Sequence, residues 1–131
     1  MDITGKWMIA KIPDFNDEEG LVYIDKDEAL KSKKVDKDLK FMLKAVYVIT
    51  EDHMAIQMEL KGKEKQEAIE EGMTNIEGDW FEVDGMDIVK KKGKYYYEFG
   101  YDELNDKPNL EELKVDEDGY LEYMLFKLGR I

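Results

Sequence analysis

From residue 45 onward the chain breaks into short segments that alternate apolar with polar residues, cut at close intervals by turn-forming residues. The clearest is Met54-Ala55-Ile56-Gln57-Met58-Glu59-Leu60, with Met54, Ile56, Met58 and Leu60 on one side and Ala55, Gln57 and Glu59 on the other. Successive side chains of a β-strand point to opposite faces, so this period of two predicts a half-buried antiparallel strand. Residues 45–50 precede it across the polar Glu51-Asp52-His53, which predicts a hairpin. Further segments at 79–83, 86–90 and 95–99 are separated by Asp84-Gly85 and Lys92-Gly93, and those at 110–115 and 120–128 by Asp116-Glu117-Asp118-Gly119. Turns of this composition join neighbouring strands tightly, because glycine supplies the positive φ that such hairpins need. Only the region around Asn105-Asp106-Lys107-Pro108 reads as a longer loop.

The first half adds one more strand, Ile3 to Ile12, stopped by Pro13, which has no N–H for a ladder. After a loop-like stretch at 14–20, residues 21–24 suit a short strand or a lid. Between Asp25 and Lys44 acids come first and lysines last, as the helix dipole prefers, so one or two short helices are expected there. Leu39, Met42 and Leu43 give the second an apolar stripe for core contact. Glu64 to Glu71 is rich in helix formers and ends at Gly72. Roughly eight to ten strands joined mostly by tight turns, with one to three short helices, predict a mainly β fold closed as an antiparallel up-and-down barrel or packed as a sandwich.

At 131 residues the chain is one domain spanning 1–131, with a large enough core to need no staples. A net charge of −12 repels phosphate backbones, which excludes nucleic acid as a natural partner and disfavours anionic membranes. The absence of cysteine removes disulfides, zinc thiolates and cysteine nucleophiles. No leader pattern and no apolar run approaching about 20 residues is present, so a cytoplasmic protein without membrane insertion is expected.

The Gly5-Lys6-Trp7 strand opening, the run of hairpins and the basic residue near the carboxyl end together resemble the calycin superfamily of lipocalins and fatty-acid-binding proteins, and in particular its small bacterial lipocalin-like members. The resemblance implies a barrel in which Trp7 sits at the closed base beside Gly5, with Arg130, or else Lys127, across its ring. A guanidinium over an indole face gains a cation–π contact and shields the ring from water. Length and the missing leader are closer to the cytosolic fatty-acid-binding proteins, but the Arg-x-Tyr pair that grips a carboxylate there is replaced here by Leu128-Gly129-Arg130-Ile131.

An eight-stranded barrel is either filled by side chains or holds one small ligand, and the sequence leaves both open. The candidate lining is Met54, Ile56, Met58, Met86, Ile88, Tyr95, Tyr97, Phe99, Met124 and Phe126, an adaptable wall of thioethers and aromatics with polar tips. The segment from Asp14 to Lys44 is expected to fold over one end. The expected function is binding of a small hydrophobic or amphipathic molecule by a non-enzymatic monomer or homodimer without cofactor. The alternative is a filled barrel acting as a protein-interaction module through Phe15, Tyr101 or Tyr120.

Catalytic and metal chemistry find little support in the residues. His53 is the only histidine and falls in an expected turn, where exposure is the simple outcome. Aligning Gly119 with the invariant glycine of a calcium loop puts Lys114 at the first ligand position, so that stretch reads as a hairpin turn. Paired acids such as Glu18-Glu19 and Glu111-Glu112 are expected by chance among 32 acidic residues.

Overall fold

The computed structural model describes residues 2–14, 22–33 and 35–131. It is mainly β, with eleven strands and three short helices among those residues. The strands are β1 (Gly5–Pro13), β2 (Tyr23–Asp25), β3 (Val46–Ile49), β4 (His53–Glu59), β5 (Thr74–Glu77), β6 (Trp80–Lys91), β7 (Lys94–Asp102), β8 (Lys107–Glu112), β9 (Lys114–Val115), β10 (Leu121–Tyr123) and β11 (Phe126–Arg130). The helices are α1 (Lys26–Lys31), α2 (Lys37–Met42) and α3 (Lys63–Glu71).

All the strands join one antiparallel sheet in the order β8-β7-β6-β4-β3-β1-β11-β10-β9, with β2 added to β1 and β5 to β6. Most neighbours are consecutive in the chain, and β1 brings the two ends of the chain together by pairing with β11. No ladder joins β8 to β9 among the described residues, so the expected closure of the barrel is not made by strand pairing. The two edges are nonetheless separated by a single residue, Leu113, whose side chain is buried and whose N–H donates to the Tyr95 carbonyl at 2.8 Å.

Several boundaries depart from the sequence expectation. Asp84-Gly85 does not turn the chain: β6 runs through it as one twelve-residue strand, absorbing an extra residue in a bulge opposite Ile56 and Gln57. Gly85 is needed for space, since a Cβ there would stand 2.8 Å from His53 Nε2. His53 accordingly opens β4 half-buried against Gly85, with Nδ1 3.9 Å from Asp87, and is not a freely exposed turn residue. Residues 120–128 are two strands, because Met124 adopts a φ of 53° and turns the chain at Met124-Leu125. Pro13 lies inside β1 as its last residue, and the wholly exposed β5 carries no alternation that would announce it. Lys92-Gly93, by contrast, forms the expected two-residue hairpin, with φ of 50° and 78° suited to the twist of its strands.

Helix ends follow local chemistry. Asp36 caps α2 by accepting from the N–H groups of Asp38 and Leu39, and Gly72 ends α3 in the left-handed region. Ala29 of α1 and Ala68 of α3 are buried in the core, as is Leu43 just beyond α2, whereas Met42 faces outward. Of the segment expected to cover one end, residues 15–21 and Lys34 lie outside the described residues.

One apolar cluster runs along the concave side of the sheet, from Trp7, Ile9 and Leu128 through Tyr47 and Met54 to Phe81 and Tyr97. No polar or charged residue is buried among the described residues, consistent with a core of packed side chains. No helix among them is long and apolar enough to cross a membrane.

Candidate ligand-binding site

The two ends of the sheet's concave side differ. At one, Trp7 is almost fully buried and donates from Nε1 to the Ile3 carbonyl at 2.9 Å. Arg130, its register partner on β11, lies with its guanidinium carbon 4.3 Å from the centre of the ring. The same guanidinium donates to the carbonyls of Thr4 at 2.7 Å and Asp2 at 3.0 Å, stitching the amino-terminal residues over the indole. Gly5, with φ of 130°, leaves room for it: a Cβ there would come within 2.9 Å of Arg130 Nη1. Lys127 instead lies 5.0 Å over Tyr23 and pairs with Asp116. This end is sealed.

The other end of β11 begins at the Met124-Leu125 turn, and there an open cleft of about 440 Å³ is lined by Met86, Tyr97, Glu98, Phe99, Glu111, Tyr123, Met124 and Leu125. Its floor is aromatic. Tyr97 and Tyr123 meet edge to face with ring centres 5.1 Å apart, and Tyr47 stands behind Tyr123 at 5.7 Å. Phe99 continues the array 6.2 Å from Tyr97. Tyr123 Oη reaches Met86 Sδ at 3.8 Å, a weak acceptor. Burial raises the Tyr47 phenol to about 12. Burial, with lesser contributions from the other two tyrosines and Asp84, raises Tyr123 further, and burial followed by the Glu111 carboxylate raises Tyr97. All three stay neutral at ordinary pH, and the two that line the cleft, Tyr97 and Tyr123, bring hydroxyls to it rather than charge.

The ten residues expected to line an interior are thus divided. Met86, Tyr97, Phe99 and Met124 meet at the cleft. Met54, Ile88 and Tyr95 are buried in the packed core, and Ile56 and Phe126 are half-buried against it. Met58 faces a second cleft of about 490 Å³ beside α2 and α3, whose walls include Lys44, Glu59, Lys61 and Glu64. Phe99 and Met124 are more than half exposed, so they form a rim and not an enclosed wall.

Tyr123, Glu98, Glu111 and Leu125 escape the sequence reading. A continuous strand over residues 120–128 would turn Met124 and Phe126 inward and Tyr123 outward. The Met124-Leu125 turn resets the alternation, so Leu121 and Tyr123 face the core from β10, and Phe126 and Leu128 do so from β11. Glu111 lies directly opposite Tyr97 in the β7–β8 ladder, hence on the same face, a placement that appears only once the register is known. The expected interaction residues are dispersed as well. Tyr101 is exposed and donates to Asp106, Tyr120 is half-buried with Lys11 5.4 Å over its ring, and Phe15 is outside the described residues.

No protein-family model, curated protein or solved structure matches the chain. What the cleft can do therefore rests on its own side chains. It offers apolar and aromatic contact, two phenol hydroxyls and two carboxylates. No group of three or more histidine, aspartate or glutamate side chains able to hold a metal occurs among the described residues.

Proposed function

We propose that the protein binds a small apolar or amphipathic molecule in the cleft over Tyr97 and Tyr123, and that its sheet closes behind that cleft as a lipocalin-like barrel. The carrying observation is the lining. A volume of about 440 Å³ falls within the usual range of small-molecule sites, and thioether, aromatic and hydroxyl groups converge on it. The strand order supports closure, since its two edges are joined through the buried Leu113 alone. The Trp7–Arg130 stack matches what the calycin resemblance implies for a closed base. The entrance is placed at the opposite end of β11, where the Tyr97–Tyr123 cleft has the more apolar lining.

Titration with a neutral apolar fluorophore tests the reading. Saturable binding is expected at one site. The double substitution F99S/L125S removes exposed apolar rim without touching the core, and should weaken binding about tenfold, the equivalent of about 1.4 kcal/mol of lost apolar contact. Absence of saturable binding, or equal binding by the double variant, contradicts it.

The exposure of Phe99, Tyr101, Met124 and Leu125 favours a second reading, in which this rim docks another protein surface. Sedimentation that detects a dimer abolished by the same double substitution would select it.

A further inference from the structure

The cleft's polar groups are all of one electrical kind. Glu98 and Glu111 line it, and no lysine, arginine or histidine does so among the described residues. Glu111 projects on the face of β8 shared with Tyr97, so its carboxylate stands over the aromatic floor and does not point away from it. Asp84 acts on the same floor from β6, where its charge bears on Tyr123. Tyr97, Tyr123 and Phe99 add three aromatic rings packed in one cluster at the cleft. Rings of this kind attract a cation placed over them, and an acid beside them strengthens the attraction. A carboxylate ligand would meet like charge and find no cation to pair with. The polar tips within the cluster point the same way, because a phenol oxygen presents a partial negative charge to a cationic head. Tyr123 is nine-tenths buried with only a thioether for partner.

Resting on the binding reading above, we propose that this cleft selects amphiphiles with a positively charged ammonium head over anionic ones with the same tail. The head lies between Glu111 and the tyrosine rings, with the Asp84 charge beside them, and the tail runs along Met86, Met124 and Leu125.

The test uses the full chain and three amphiphiles with one decyl tail, each below its micelle concentration: decyltrimethylammonium, decyl glucoside and decanoate. Calorimetric titration at physiological ionic strength, where surface charges are screened beyond about 8 Å, should give the ammonium a Kd lower than that of decanoate by about tenfold or more, with the glucoside between them. The double substitution D84N/E111Q should remove most of that preference. E70Q/E117Q alters net charge equally at exposed positions outside the cleft and should leave the preference within about twofold, because distant charges are screened. Equal affinity for ammonium and glucoside, or an equal effect of the two double substitutions, overturns the charge selection while leaving the binding reading intact. Failure of all three to bind overturns both.

Discussion

Arg130 shows how much one residue can carry at the sealed end. It covers the Trp7 ring and satisfies two carbonyls of the amino-terminal residues, a set of roles that lysine, with a single ammonium point charge, cannot repeat. Replacing it by alanine should cost about 2 kcal/mol, from the lost cation–π contact and the two charge-assisted hydrogen bonds. Urea denaturation followed by tryptophan fluorescence measures this, and R130K should recover only part of it. An unchanged midpoint would mean that the indole is sealed without the guanidinium. This pairing could be read from the sequence only through a resemblance, since 122 residues lie between its members and no local pattern links them. Gly5 is similar. Its glycine suggests a strand start, but the reason for it, room for Arg130 Nη1, exists only in three dimensions. Met124 is the opposite case. Nothing in a run of apolar residues warns that a methionine will take a positive φ, which glycine or asparagine would have signalled.

Among the elements, those with strong local chemistry were legible. The β6–β7 hairpin follows from Lys92-Gly93, α2 from acids placed ahead of lysines, and the end of α3 from Gly72. The β5 strand and the unbroken β6 were not, because their pairing depends on neighbours distant in the chain and on the bulge against β4. A polar tie at the β9–β10 turn holds one edge of the sheet to β11. Lys127 donates to Asp116 at 2.8 Å, and Asp116 also accepts from the N–H groups of Asp118 and Tyr120. The Lys127 hydrogen bond, aided by those N–H groups, holds the Asp116 carboxyl below its ordinary 3.8 and raises Lys127 above its ordinary 10.5. A lowered acid stabilises the fold above its unfolded pKa, and the stabilisation is lost as pH falls through the folded one. A raised lysine stabilises below 10.5 and loses that effect as pH rises through its folded value. Between those limits D116N should have a lower urea midpoint than the unsubstituted protein, and the gap should narrow as pH falls below 3.8. A gap of constant size down to strong acid would show that the carboxylate charge contributes nothing.

At the scale of the whole molecule, period-two patterning and turn residues were enough to foretell a mainly β antiparallel fold, since they record which side of each strand meets water. They could not foretell the edge-to-edge junction at Leu113 or the division of an expected lining into a packed core and an open cleft. Filling and binding do not exclude one another in this molecule: Met54, Ile88 and Tyr95 fill the interior, while Met86, Tyr97, Tyr123 and Met124 border open space. Methionine methyl resonances report on each region separately, because Met86 and Met124 line the cleft, Met58 lines the second one and Met42 lies exposed on α2. The most direct measurement is a titration of protein labelled with carbon-13 at the methionine methyls, using decyltrimethylammonium or decyl glucoside and followed by two-dimensional NMR. Saturable shifts of Met86 and Met124, with Met42 and Met58 unmoved, are the predicted result. Shifts confined to Met42 and Met58, or no saturable shift at all, would contradict a ligand site above the tyrosine floor.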